Sequence, residues 1–306
     1  MILMRRTSLL VILLLSSALT AAQNTAVRVL EAGPVGPLGQ LSEANEIRLV
    51  FSEPMVALGR VPSNPQIPWA SITPRVPGQF RWSGTTILIF TPDSAAPLPY
   101  ATTFVVNVDA SATSASGRRL GTPYRFEFTT PTVELLSARW MRRTARFDSP
   151  VVLGLQFNQP VRPADVLAHL TVRHEPHEWI PPVFTERELA RLTTGDPNGL
   201  AAFSAKVDAT QRIAGSTAPV ALRPATEWDR ERFPPSDSLV MLETATVPLP
   251  EAWLALTLDA AMPSPAGRAT RGESTTTTVE LEAAFFADPM NCTEDCNPSA
   301  WNPVRL

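Results

Sequence analysis

The chain is poor in the residues that most often carry chemistry. Its 306 residues include three histidines, two cysteines and a single lysine, Lys206. Glycine (14) is scarce beside proline (31). Few places are left for a glycine loop that cradles phosphate. Long helices are not expected, because proline removes a backbone donor and clashes with the preceding turn. Short strands joined by rigid turns are expected instead. Charged residues make up 18% and the formal net charge is −3. That balance excludes a generally basic nucleic-acid binder, since neutralising phosphates requires clustered Lys and Arg. The other 25 basic residues are arginines, which reads as codon bias and not as chemistry. Apolar content is ample at 44%, so the chain is no disordered polymer and is long enough for two ordinary domains.

The first residues read as a secretory signal peptide. Arg5 and Arg6 form a positive start, Leu9 to Leu15 is an unbroken apolar run, and Ser16 to Ala22 tapers to small residues. Thr20 and Ala22 suit the −3 and −1 positions of a cleavage site, which places the cut before Gln23. The apolar run is too short for a span of roughly 20 residues. No Cys lies near the cut to support a lipoprotein route. No later segment has the length and apolarity of a membrane span, so the mature chain is expected outside the cytoplasm, in the periplasm, the extracellular space or the cell envelope. In such an oxidising compartment a local disulfide between Cys292 and Cys296 is the default reading. It would fix a turn and not hold a fold, because a short loop gains little from cross-linking.

The body alternates apolar and polar residues at period two, the mark of half-buried strands. Ile47, Leu49 and Phe51 share one face, Phe80 and Trp82 flank Arg81, Phe104, Val106 and Val108 alternate, and so do Tyr124, Phe126 and Phe128. Turn signals separate the runs: Ser52-Glu53-Pro54, Ser83-Gly84, Pro92-Asp93 and Ser116-Gly117. The expected fold is all-β, an antiparallel β-sandwich. The pattern then restarts. Val151, Leu153, Leu155 and Phe157 form a strand face, and Phe157-Asn-Gln-Pro-Val161 echoes Phe51-Ser-Glu-Pro-Met55. Pro97-Leu-Pro99, Val108-Asp-Ala110 and Gly117-Arg118 return in order as Pro248-Leu-Pro250, Leu258-Asp-Ala260 and Gly267-Arg268. This is read as two tandem Ig-like sandwiches, over 26–131 and 132–287, after a signal peptide at 1–22. The spacing between copies widens along the chain, so the second copy carries an insertion, placed within 175–238. Inside it, Thr185-Glu-Arg-Glu-Leu-Ala-Arg-Leu192 is a short helix candidate with Thr185 as N-cap. A tail at 288–306 ends like the start of another strand.

No catalytic constellation stands out. Arg173-His-Glu-Pro-His-Glu-Trp179 invites a metalloprotease reading and fails on spacing, because a zinc helix needs His-Glu-x-x-His and Pro176 opposes a helix. His174 and His177 are therefore expected on a surface loop without metal, with His169 upstream. No Gly-x-Ser-x-Gly elbow occurs and no Cys sits near a histidine in sequence. The acidic pairs, Glu280 with Glu282 and Glu294 with Asp295, read as solvated faces. Catalytic, cofactor and metal residues are each expected to be none.

Phe51-Ser-Glu-Pro-Met-Val-Ala-Leu-Gly59 is similar to the opening of the SbsA-type bacterial Ig-like domain. So are Ile72-Thr-Pro74, Gly78-Gln-Phe-Arg-Trp82 and Leu88-Ile-Phe-Thr-Pro92, and the stretch from Leu98-Pro-Tyr-Ala-Thr102 to Tyr124-Arg-Phe-Glu-Phe-Thr-Thr130 completes it. With the signal peptide, the second sandwich and the Cys292/Cys296 turn before Asn302-Pro-Val304, the chain resembles the N-terminal part of a bacterial alpha-2-macroglobulin. That resemblance implies a secreted or periplasmic broad-spectrum protease trap, in which a bait region is cleaved and a Cys-Gly-Glu-Gln thioester captures the protease. Cys292 is followed by Thr293 and Cys296 by Asn297, so neither is that thioester. The role implied for this chain is a non-catalytic scaffold, a fragment lacking bait and thioester, with the rest of a larger chain and its target proteases as partners. A cell-envelope binding or adhesion module built of the same domains is the competing reading, since fold does not fix function. A secreted hydrolase ranks behind both.

Overall fold

The computed structural model describes residues 26–63, 65–144 and 146–286. The signal peptide, the Cys292/Cys296 turn, Glu294-Asp295 and the tail lie outside the described residues. The first half contains β1 (Val29–Gly33), β2 (Gly36–Pro37), β3 (Ile47–Phe51), β4 (Ala70–Thr73), β5 (Gly78–Ser83), β6 (Ile87–Pro92), β7 (Thr103–Val108) and β8 (Tyr124–Thr129). They form two sheets, ordered β1-β3-β6-β5 and β2-β8-β7-β4. Pairing is antiparallel except between β2 and β8. The alternation works as the pleat requires: Ile47, Leu49 and Phe51 face Phe104, Val106 and Phe128 across one buried cluster. Phe104 and Phe128 stack there with ring centroids 5.3 Å apart.

The second half contains β9 (Leu135–Arg142), β10 (Val151–Phe157), α1 (Pro163–His169), β11 (Leu170–His174), α2 (Glu186–Gly195), α3 (Pro197–Ala214), β12 (Leu222–Pro224), β13 (Leu239–Thr244), β14 (Trp253–Leu258) and β15 (Thr275–Glu280). Its sheets run β12-β13-β10-β9 and β11-β14-β15. Read from the β9 edge, β9-β10-β13-β12 repeats β1-β3-β6-β5, and β11-β14-β15 repeats β4-β7-β8. The fold is an all-β sandwich throughout, with α-helices confined to the second half among the described residues and a single 3-10 turn, Leu41–Ala44, in the first.

The repeated sequence landmarks do the same work in both halves. Ser52 donates its amide to the Arg28 carbonyl (2.8 Å), and its hydroxyl accepts from the Arg28 amide (2.9 Å). Asn158 makes the same reciprocal pair with Glu134, at 3.1 and 3.0 Å. Each pair pins the residue before the outer strand, β1 or β9, to the end of β3 or β10. Asp109 donates its amide to Trp69 (2.7 Å) and Asp259 does so to His169 (2.8 Å), which ties the end of β7 or β14 to the segment entering β4 or β11.

The proline count misleads about helices. Helix α3 runs for 18 residues. Its Asp196 N-cap accepts from the Gly199 amide and Pro197 occupies the first turn, where no intrahelical donor is lost. From there to Ala214 the sequence holds no proline and five alanines, which are strong helix formers. Thr185 caps α2 as expected, in a capping box with Glu188. A second departure concerns β10, which is buried on both faces and not in alternation. Phe233, itself fully buried, lies over Gly154 so closely that a Cβ there would sit 2.8 Å from its ring. With Val152, Met241 and Ala225 it forms a small apolar cluster on the outer side of the sheet.

Phe128 is 0% exposed in the first core whereas Phe147 is 66% exposed. Phe128→Ala is expected to lower unfolding stability by about 3–5 kcal/mol, through lost burial and the cavity left behind. Phe147→Ala should stay within about 0.5 kcal/mol of the parent, read from urea midpoints.

Candidate functional site

The three histidines are not a loop cluster open to solvent. The His177 side chain is 4% exposed. Its ring stacks on Trp253 at 4.2 Å between centroids and 7° between planes. Its Nδ1 lies 3.3 Å from the Glu175 carbonyl and its Nε2 3.8 Å from Glu251 Oε1. Glu251 has a left-handed backbone (φ 71). Its amide donates to the Glu282 carbonyl (2.7 Å), and its other carboxylate oxygen accepts from the Ala284 amide (2.8 Å). His169 sits at the end of α1, 4.0 Å from Asp259. The surface-loop expectation fails for His177 because the Trp253 stack and Glu251 bury its side chain. His174 closes β11, and burial holds its imidazole below the ordinary value. Among the described residues no group of three or more His, Cys, Asp or Glu is placed to hold a metal. Glu282 departs from the solvated-face reading as well, since Arg142, itself 7% exposed, donates to it at 2.8 Å. Glu280 is exposed, as expected.

The polar groups buried between the two sandwiches form a second constellation, one not read from sequence. The Pro131 carbonyl accepts from the Ala101 amide (3.0 Å) on the first side and from Gln159 Nε2 (3.1 Å) on the second. Gln159 is 2% exposed, and its oxygen accepts from the Ser264 hydroxyl at 2.7 Å. The Ala101 carbonyl in turn accepts from the Ala269 amide (2.8 Å). Ala101 is fully buried with φ at 51, a conformation held by the bonds on both its flanks. Gly267 packs directly on this turn: a Cβ there would lie 2.1 Å from the Ala101 carbonyl oxygen and 2.4 Å from that of Tyr100. Arg271 pairs with Glu134 at 3.2 Å beside it. Buried neutral hydrogen bonds of this kind each contribute about 0.5–1.5 kcal/mol, and an orphaned partner costs about 1–3 kcal/mol. The arrangement ties the two halves by hydrogen bonds.

A third constellation belongs to the insertion between β11 and β13. Phe203 on α3 packs against Phe184 (4.5 Å between centroids) and Phe286 (5.5 Å), and Trp179 lies 5.8 Å from Phe286. Lys206 sits over the Phe286 ring at 4.5 Å and donates to the Phe285 carbonyl. Helix α3 thereby holds the chain where it leaves the second sandwich.

The class these features define is a pair of β-sandwiches tied by buried polar contacts, whose first member is Ig-like. Residues 23–130 match the family model of the bacterial Ig-like domain. No curated protein matches the chain by sequence. Among solved structures, L,D-transpeptidase 3 from Mycobacterium tuberculosis is similar at 14% identity and a TM-score of 0.22, over 51% of this chain and 61% of that one. Escherichia coli alpha-2-macroglobulin is similar at 11% and 0.26, over 84% and 14%, and the S-layer protein rSbsC(31-844) at 8% and 0.24, over 87% and 42%. The chain thus spans less than two thirds of each of these structures. Scores this low carry no functional argument. No helix among the described residues is long and apolar enough to cross a membrane.

Two outcomes follow. Gly267→Ala forces backbone against backbone and is expected to destabilise the junction by about 1–3 kcal/mol. Calorimetry is expected to show one unfolding transition for the parent, and a broadened or split one for this variant. Gly215→Ala, whose Cβ would meet only an ordinary contact at 3.6 Å, should leave it whole. The second outcome concerns His174, whose folded-state value is lowered. The unfolded chain, with an imidazole near pKa 6.5, binds more protons below that pH. Stability is therefore full above about pH 6.5 and falls toward pH 5. His174→Leu should flatten urea midpoints across that window; a slope equal to the parent's would contradict the assignment.

Proposed function

We propose that this chain is a non-catalytic scaffold: two sandwiches held in fixed relation, which position whatever they are joined to. The observation that carries the reading is the use made of the buried polar groups. Gln159, Ser264, Ala101 and Pro131 hold one sandwich on the other, Glu251 and Arg142 hold the exit segment, and Gly267 permits the close approach. Groups so engaged build a rigid spacer and are not free to act on a substrate. The signal peptide read over 1–22 supports export to the periplasm or cell envelope. The sequence resemblance to the N-terminal part of bacterial alpha-2-macroglobulins supports placement in a broad-spectrum protease trap, whose bait and thioester would be supplied by other sequence. The alternative, a cell-envelope binding or adhesion module, is favoured by the bacterial Ig-like match over 23–130.

The test has two arms. Purified chain mixed in equimolar amount with serine and metalloproteases should leave digestion of a protein substrate unchanged; stoichiometric inhibition would overturn the scaffold reading. Sequencing the locus past the Leu306 codon separates trap from envelope module. The trap reading expects a frame continuing into further sandwiches, a bait region and a thioester. A stop codon at that point would contradict it in favour of the envelope module.

A further inference from the structure

On the outer face of the first sandwich the surface carries a concavity of about 330 Å3, lined by Pro68, Trp69, Ser71, Asn107, Asp109 and Pro123 among others. Its size falls in the range of small-molecule sites, roughly 300–1,000 Å3. Ser71 and Asn107 are direct cross-strand partners on β4 and β7. Asp109 follows Asn107 by two positions, so strand alternation carries the three toward the same side. Trp69 is half-buried, its inner side against Phe51 (5.8 Å) and Trp82 (6.4 Å), and it completes the wall with the two prolines.

The polar lining makes few hydrogen bonds within the chain. No hydrogen bond within the described residues engages the Asn107 side-chain amide, the Ser71 hydroxyl or the Trp69 indole N–H. The Asp109 carboxylate accepts from the Ser111 amide at 2.8 Å. The Ser111 hydroxyl and amide together hold it below the ordinary carboxylate range, so it is ionised at neutral pH.

The second sandwich is a built-in comparison. His169, Thr171, Thr257 and Asp259 stand where Trp69, Ser71, Asn107 and Asp109 stand, on the same cross-strand register and the same aspartate-to-carbonyl bond. There the groups answer one another. His169 Nδ1 lies 4.0 Å from Asp259 Oδ1, and the Thr257 hydroxyl is 2.9 Å from that of Thr276. The second copy thus turns the Thr257 hydroxyl to a neighbouring side chain, where the first leaves the Asn107 amide without one.

The lining also selects among ligands. It has one carboxylate and no basic side chain, which disfavours an anion. A single carboxylate gives a metal too few hard oxygens. An apolar ligand would strand the Asn107 amide and the Trp69 N–H. A ring carrying several hydroxyls donates to Asp109 and to the Asn107 oxygen, accepts from Asn107 Nδ2 and Trp69 Nε1, and lays its C–H face on the proline wall. We propose that this pocket is a binding site for a neutral saccharide ring, held by Asn107 and Asp109 against Trp69. The proposal does not depend on the scaffold reading.

The experiment is a titration of the 15N-labelled chain, followed by NMR, with glucose, N-acetylglucosamine and cellobiose. Each is carried well past a Kd on the order of 1 mM. The expected result is saturable shifts at the Trp69 indole and Asn107 side-chain resonances with at least one sugar. Asn107→Ala should weaken that binding by about tenfold or more, the loss of two hydrogen bonds in a ligand site. Asp109→Asn, which keeps the turn acceptor and removes the charge, should weaken it too. Thr257→Ala should leave it unchanged. Three results would each overturn the proposal: no site shifts with any of the three sugars, shifts insensitive to both pocket variants, or the same shifts produced by calcium alone.

Discussion

The carbonyl oxygen of Pro131 receives one hydrogen bond from each sandwich, and the rest of the architecture is arranged so that it can. Ala101 reaches it only from a left-handed backbone, stabilised because the Ala101 carbonyl is itself taken by Ala269. Gln159 reaches it from the end of β10, with Ser264 fixing its other end. A glutamine this deeply buried would cost more than it contributes if either end were left unpaired. Both of its ends are paired, to Pro131 and to Ser264.

The same economy of partners shapes the second sandwich. The segment near Phe233 covers the outer side of β10, so this strand is enclosed by apolar groups on both faces, unlike its counterpart β3. The helices of the insertion then grip the exit segment through Phe203 and Lys206. The first sandwich has no such covering among the described residues, and its outer face keeps polar groups open to solvent. One copy elaborates contacts to its own chain while the other keeps a surface available.

What could be read from sequence was what depends on neighbours two residues apart. The strands around Phe51, Phe104 and Phe126 alternate cleanly, and the recurring Asp109 and Asp259 turns carry their own acceptor. Strand β9 could not be read, because its exposure does not alternate regularly along Leu135–Arg142. Helix α3 was masked by the proline count of the whole chain, although Leu200, Phe203, Val207, Thr210 and Ala214 recur at helical spacing along its less exposed side. Gly267 was visible as a recurring landmark, but the carbonyls it packs against lie in the other sandwich, and no local pattern encodes them. His177 was misjudged for the same reason: Trp253 and Glu251, which bury it, are distant in sequence. Among the pocket residues, Asn107 is in sequence no more than the polar position between Val106 and Val108, and its lack of a side-chain partner is apparent only once its neighbours are in place.

The central claim is that the two sandwiches are one body. Backbone 15N relaxation on the intact chain tests it most directly. If the Pro131 junction holds, amides of β1–β8 and β9–β15 report a single rotational diffusion tensor with one long correlation time. Two distinct tensors, each with the shorter time of an isolated domain, would contradict it.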